Sequence, residues 1–472
     1  MILDILESND RVEMLIVMML EQYNNHVLTA NMVCSELNIS NYKLEQHVKG
    51  INQVLENNEV KIDKEGILIY GPVTTNRLEK LKQTYIMRSK KFHLLQYILD
   101  GGQSMPDFSK KAFLSIPQSY RLRLELASFL KNELNIELNS MELIAPSELA
   151  LRNSLYDLYF FYFSGFDLPF SNEVREKYLE IKKMVQAVFT KRIPKTQGKN
   201  LKLFICIQLT RVLSNKNITS MDRNLIDGLI TMEKTDYYFS QAMTNLGLSP
   251  DEQVVLIAYI QLNIQKADIS VVKSGRVQEL IEMFELTIKE QIKKDVYANT
   301  DIVEESAMLF ANWLIFSNKA TSFIEEAQIG YFCEMYPTFH SIAHRFVDVY
   351  CRNLLPIQVD NSQLAKYYYD LIFLLIQEIS LHEIEPIINI CVDFSHGSAY
   401  NMFIKRNIEN YKDLNINLQE SYNGDTDLYL TDIYLPNIKT DKIIWRDPPT
   451  VNDWGTFADK VLLIKESKVE KD

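Results

Sequence analysis

The sequence predicts a mostly α, multidomain chain. Tandem winged helix-turn-helix domains come first, two all-α helical bundles follow, and a C-terminal α/β domain ends it. Three observations carry that expectation. Glycine and proline are scarce, 14 and 13 in 472 residues, which leaves few tight turns and favours long helices. Two stretches repeat one pattern of capped helix, short turn, second helix and short strand pair. Near residue 386 the apolar spacing changes from helical to a continuous β-branched run. At about 100–200 residues per domain the length accommodates several cores.

The first unit spans residues 1–72. Thr29 can cap a helix that buries Val33 and Leu37. Asn38-Ile39-Ser40 makes a turn, and Ser40 can cap a second helix. Leu44, Val48, Ile51 and Leu55 then fall on one stripe at three- and four-residue spacing. Val60–Asp63 and Ile67–Tyr70, separated by Glu65-Gly66, read as a two-stranded wing.

The second unit spans residues 73–147. A basic amphipathic helix is expected over about Arg77–Leu99, before Gly101-Gly102. Phe108, Ala112 and Phe113 are expected to pack the next helix. Pro117 suits the first turn of the helix after it, where a missing N–H costs nothing. Leu122, Leu126 and Phe129 form its inward stripe, and Ile136–Leu138 with Leu143–Ala145 make a second wing.

Charge separates the two units. The whole chain is acidic, with formal net charge -12, and residues 1–72 carry net -6. Residues 73–131 carry net +7, a basic island suited to phosphate. A helix-turn-helix inside such an island points to nucleic acid. In the second recognition helix, Pro117–Leu130, the candidate contacts are Gln118, Ser119, Arg121 and Arg123. Gln pairs bidentately with adenine and Arg with guanine, while Lys110 and Lys111 suit phosphates. In the first, Ser40–Leu55, the exposed candidates are Asn41, Tyr42, Lys43 and His47. With so few cations on offer, sequence-dependent DNA shape gains weight over base reading.

Residues 148–269 and 270–385 read as helical bundles. Leu213-Ser214-Asn215-Lys216 followed by Ile218-Thr219-Ser220 is echoed by Phe316-Ser317-Asn318-Lys319 followed by Ala320-Thr321-Ser322. A long amphipathic helix closes each copy, Asp251–Lys266 and Gln363–Glu378. This spacing fits duplicated domains rather than a solenoid of short repeats. The aromatic runs Tyr159–Phe163 and Tyr367–Tyr369 cover all faces of their helices and suit packing.

Residues 386–472 alternate. Ile387–Val392 reads as a buried parallel strand, then come the loop Asp393–Ser398, a helix Ala399–Asn410, strands at Leu414–Gln419, Leu428–Ile433 and Lys442–Trp445, and a closing helix Trp454–Ile464.

Other classes find little support. Five cysteines (Cys34, Cys206, Cys333, Cys351, Cys391) are dispersed, neither a disulfide framework nor a zinc module. No apolar stretch is long enough to span a bilayer, and Met1-Ile2-Leu3-Asp4 lacks a basic leader, so a cytoplasmic location and no membrane partner are expected. Nucleotide loops of the Walker or Rossmann kind and nucleophile elbows are missing from the sequence. A non-enzyme without cofactor or metal is expected.

In domain order and in the local text Leu201–Lys216, LKLFICIQLTRVLSNK, the chain resembles the Mga/AtxA-type transcriptional regulators of Gram-positive bacteria. The resemblance covers essentially the whole length. It implies that the bundles are phosphotransferase-system regulatory domains (PRDs) and that the tail is similar to a sugar-phosphotransferase IIB domain. It implies a DNA-binding regulator, an activator of virulence or carbohydrate-linked genes, that dimerises through its C-terminal part. A phosphocarrier protein is the implied regulatory partner.

Transfer of the family's functional residues is mixed. Its first-PRD histidine falls at Lys199, and its second at Tyr336. His340 and His344, four apart on one helix face, are the candidates for phosphorylation instead. Cys391 stands where a IIB domain carries its phosphorylated cysteine, but its loop keeps one glycine and adds Asp393. Two alternatives stay open, a PRD-type RNA-binding antiterminator and a phosphotransferase relay protein using Cys391.

Overall fold

Serine and threonine caps fix many of the helix starts. In the computed structural model Thr29, Ser40, Ser89, Ser104, Ser115, Ser147, Thr219 and Ser249 each accept a backbone N–H from the first turn that follows. The structure describes residues 2–22, 27–55, 60–69, 75–188, 193–232, 237–264, 269–271, 275–292, 301–316, 329–351, 361–411 and 414–469. It is mostly helical, with a small parallel sheet of four strands near the C-terminus. Two units make it up: Met1–Ser270 with Asn312–Ala320, and Val271–Ala311 with Thr321–Asp472.

The first unit opens with α1 (Ser8–Gln22), α2 (Ala30–Leu37) and α3 (Asn41–Val54). Asn38, in the left-handed region at φ 50°, closes α2 and turns the chain into Ser40. Strands β1 (Lys61–Ile62) and β2 (Leu68–Ile69) pair antiparallel, and Thr29 bridges to Ile67 beside them. Tyr70, the end of the expected second strand, lies outside the described residues. The stripe Leu44, Val48, Ile51 and Leu55 is buried, whereas Leu37 is only half-buried.

The expected single helix over 77–99 is two, α4 (Thr75–Arg88) and α5 (Lys90–Leu99). Ser89 divides them because its hydroxyl donates to the Ile5 carbonyl (2.6 Å) and accepts the Phe92 N–H. The pattern then repeats in α6 (Met105–Lys111), α7 (Ile116–Leu134) and the antiparallel pair β3 (Glu137–Asn139) and β4 (Glu142–Ile144).

A buried polar group lies under α3. Tyr85 donates to Glu13 Oε2 (2.8 Å), and His47 Nδ1 stands 3.5 Å from Glu13 Oε1. Gly50 makes room, since a Cβ there would run into the Glu13 carboxylate. Burial, and then the charge of Glu13, push the nearby Asp10 carboxyl up to about 6. The folded state therefore keeps a proton that the unfolded chain has already released, and stability falls as pH rises from about 4 through 6. Asp10→Asn removes that ionisation. Its melting temperature is expected to exceed the native one at pH 8 and to match it near pH 4; equal differences at both would exclude the ionisation as the cause.

The rest of the first unit contains α8 (Glu148–Phe163), α9 (Asn172–Val188), α10 (Lys195–Leu213), α11 (Ser220–Leu229), β5 (Ile230–Met232), α12 (Tyr237–Asn245), α13 (Pro250–Asn263) and β6 (Ile269–Val271). The sequence predicts an amphipathic α13. It is instead buried on nearly every face from Glu252 to Leu262, the central helix of its bundle.

In the second unit come α14 (Gly275–Gln291), α15 (Ile302–Ile315), α16 (Ile329–Met335), α17 (Pro337–Phe346), a π-helical turn (Val347–Cys351), α18 (Asn361–Glu378) and α19 (Leu381–Ile384). The rings of Phe284, Phe310 and Phe346 meet in its helical core at 5.2–5.8 Å. The second copy of the echoed text, residues 317–322, lies outside the described residues. Strands β7 (Ile388–Val392), β8 (Ile416–Gln419), β9 (Leu428–Thr431) and β10 (Asp441–Ile444) pair in parallel in the order β10-β9-β7-β8. Helices α20 (Ser398–Ile408) and α21 (Val451–Val469) complete this part. Its core joins Ile390, Val392 and Leu430 to Ile404, Phe457 and Val461.

Candidate nucleic-acid interface

Helix α7 begins in a capping box. The Gln118 side-chain oxygen accepts from the Ser115 N–H (3.0 Å) and hydroxyl (2.9 Å), while Ser115 Oγ accepts the Gln118 N–H. Gln118 is exposed, but this occupies its carbonyl, and a bidentate adenine contact would have to break the cap. Ser119 is a correction. It is fully buried, donates to the Ser115 carbonyl (3.0 Å) and accepts from Ser109 (2.6 Å), so it locks α6 against α7.

Arg123 is half-buried and turns back along α7. Its Nη1 donates to the Ser140 carbonyl at the tip of the β3–β4 hairpin (3.1 Å), which positions the hairpin beside the helix. Arg121 faces solvent and forms a surface pair with Glu125 (3.1 Å), a weak link. Lys110 and Lys111 are exposed at the end of α6, with the Lys111 ammonium 5.1 Å from the Tyr97 ring. Two other cations of the island are engaged elsewhere. Lys82 pairs with Glu79 (2.7 Å) and covers the Phe161 ring, and Lys91 donates to the Asp4 carbonyl. The end of α6 and the start of α7 thus carry three exposed cations of the island, Lys110, Lys111 and Arg121.

Between them runs an apolar stripe that the sequence reading missed. Ile116, Tyr120 and Leu124 are 52%, 46% and 63% exposed, at four-residue spacing, and Phe113 before them is 96% exposed. Phe113 was expected in the core. It lies instead in the left-handed region at φ 53°, just past the end of α6, where glycine is usual and a bulky residue costs about 1–3 kcal/mol. A signal existed in the sequence, because α7 carries apolar residues at four-residue spacing on both its faces.

The α2–α3 unit presents less. Asn41, Tyr42 and Lys43 are exposed at the start of α3, with the Asn41 oxygen accepting from Cys34 Sγ at 3.2 Å. His47 is the second correction: it is buried against Glu13 and does not face solvent.

Of the regulatory candidates, Lys199 donates to the Gly165 carbonyl (2.9 Å), and Tyr336 is buried at the start of α17. His340 is half-buried with Nδ1 2.8 Å from the Tyr368 hydroxyl, and burial, then His344, holds its imidazole below the ordinary range. Burial raises the Tyr368 hydroxyl above its ordinary range, and it shares a hydrogen bond with Nδ1. His344 is exposed, with Nε2 3.6 Å from Asp348. It is the accessible imidazole of the two.

Cys391 is the remaining regulatory candidate. It is buried within β7, and burial together with the charge of Asp393 pushes its thiol up, away from the reactive thiolate. The loop after β7 already holds an internal anion. Asp432 accepts the Ser395 N–H (2.9 Å) and hydroxyl, and these bonds hold its carboxyl below the usual range. A phosphoryl group would compete with that carboxylate.

Among the described residues no group of three or more His, Cys, Asp or Glu is arranged to hold a metal ion, and no helix is long and apolar enough to cross a membrane. Compared with known proteins, the chain matches no family model and no curated protein.

Proposed function

We propose that the chain is a DNA-binding transcription regulator. Residues 1–147 are read as tandem winged helix-turn-helix domains, the two bundles as PRDs and the C-terminal part as a IIB-like domain. The observation that carries this is the solvent-facing start of α7, with Lys110, Lys111 and Arg121 around it and the β3–β4 hairpin alongside as a wing. The proposed function includes activation of virulence or carbohydrate-linked genes and assembly as a cytoplasmic homodimer through the C-terminal part. Control by a phosphocarrier protein would act at His344, where a phosphoryl group adds nearly two negative charges.

Fluorescence anisotropy of the full-length protein on a long A·T-rich duplex, across a salt series, tests the reading. Each phosphate contact contributes about -0.9 to the slope of log affinity against log salt. Replacing Lys110, Lys111 and Arg121 together by alanine is expected to flatten the slope by about 2.7. An unchanged slope would remove α6 and α7 from the interface. Tighter binding to hairpin RNA than to duplex DNA would favour the antiterminator.

A further inference from the structure

The exposed face of α7 is apolar where a reader of base edges would be polar. Gln118 is committed to the cap, Ser119 to the α6–α7 packing and Arg123 to the hairpin. Left facing outward are Phe113, Ile116, Tyr120 and Leu124, bordered by Lys110, Lys111 and Arg121.

We propose that this stripe reads thymine, through apolar contact of Phe113, Ile116 and Tyr120 with the C5 methyl groups in the major groove. The proposal rests on the DNA-binding reading of this unit and deepens it. The thymine methyl is the one apolar group that the base pairs present in that groove. Residues four apart on a helix are separated by about 6 Å, close to the roughly 6.8 Å between every second base pair. One face of the helix therefore meets alternate base steps.

Charge selects the occupant. Lys110 and Lys111, three and two residues before Phe113, and Arg121 beside Tyr120 suit phosphates flanking a groove. A second copy of the same face would bring Lys110 and Lys111 against another such pair, with Arg121 already paired to Glu125, so a symmetric protein contact here gains no charge complementarity. Phe113 adds an independent sign. The fold favours glycine at that left-handed position, yet the sequence keeps a fully displayed ring there.

The test compares an A·T-rich duplex with the same duplex carrying deoxyuridine for every thymidine, which removes the methyls and leaves the pairing pattern. A buried methyl is worth about fourfold in affinity, so two or three contacts predict a loss of tenfold or more with an unchanged salt slope. A G·C-rich duplex should gain affinity when its cytosines are 5-methylated, because the methyl returns to the same place. Two variants complete the comparison. Ile116→Ser/Tyr120→Ser should lose most of the difference between the two A·T duplexes. Phe113→Gly relieves the strained backbone, so it should melt no lower than native protein while losing part of the preference.

Equal affinity for the thymine and uracil duplexes, with steep salt dependence retained, would overturn methyl reading and leave the DNA-binding reading standing. An equal loss in native protein and in Ile116→Ser/Tyr120→Ser would assign the effect to the duplex and overturn it too. Dissociation of an oligomer by the double variant would identify a copy–copy interface instead. No binding to either duplex would overturn both readings.

Discussion

Replacing Glu252 with alanine is expected to destabilise the first unit by about 3–5 kcal/mol, the range for breaking one side of a buried ion pair. Glu252 has no exposed surface. Its carboxylate accepts from Arg152 Nη1 (2.6 Å) and Nη2 (2.8 Å), from Gln208 Nε2 (2.8 Å) and from the Ile218 N–H (2.8 Å). One side chain of α13 thereby joins α8, α10 and the segment before α11. The cluster is electrically balanced, because Glu148 accepts from both Arg152 (2.9 Å) and Arg211 (2.8 and 2.9 Å). Without Glu252 two buried guanidinium groups share one carboxylate, and the Ile218 N–H loses its acceptor. Glu252→Gln keeps the volume but only the two bonds made to one oxygen, and its amide nitrogen would face two donors, so it should also be clearly destabilising. Urea unfolding followed by helical circular dichroism measures both. A loss below 1 kcal/mol for the alanine variant, with an unchanged denaturant slope, would show that water enters and repairs the cluster.

That cluster shows where sequence reasoning stops. Local chemistry was legible. Thr29, Ser40 and Ser115 announce helix starts because a cap needs only a hydroxyl and the N–H groups of the next turn. The strand Ile388–Val392 was legible because burial on both faces of a parallel sheet demands an unbroken apolar run. What escaped depends on partners distant in the chain. His47 reads as a surface residue until Glu13 and Tyr85 are brought to it. Ser119 reads as a base contact until Ser109 arrives from the neighbouring helix. Cys391 sits at the position the resemblance indicates, but its thiol is set by burial and Asp393, and the loop after it is occupied by Asp432, which arrives from the end of the neighbouring strand. The stripe of Ile116, Tyr120 and Leu124 escaped for the opposite reason. The sequence contains it, yet nothing local tells which of two apolar faces is covered.

The second large effect is expected in the second unit, at Lys465. Its side chain is wholly buried, donates to the Met335 carbonyl and stands 3.5 Å from Glu385 Oε2. Glu385 Oε1 accepts the Thr338 N–H (3.2 Å) in the first turn of α17. Burial holds the Glu385 carboxyl above its ordinary value even with the lysine beside it. Lys465→Met removes the counter-charge and should cost about 3–5 kcal/mol near pH 8. Glu385 must then take up a proton to remain buried. The folded state would hold that proton while the unfolded chain, with its carboxyl near 4.5, has released it. Stability of the variant should therefore fall as pH rises above about 4.5, and part of the deficit should disappear at pH 5. Glu385→Gln/Lys465→Met neutralises both partners and should recover most of the loss at pH 8, since well-packed neutral replacements of a buried pair are often close to neutral. A deficit equal at pH 5 and pH 8, or a double variant as weak as the single one, would show that packing of the lysine stem rather than its charge is what matters. The same pair bears on control. It fastens α21 to the start of α17, the helix that carries His340 and His344. In the proposed regulator, charge added at His344 would bias a helix whose first turn is already tied to the C-terminal part through Thr338, Glu385 and Lys465. If that tie carries the signal, the neutral double variant keeps its fold, and its oligomeric state no longer responds to His344→Asp.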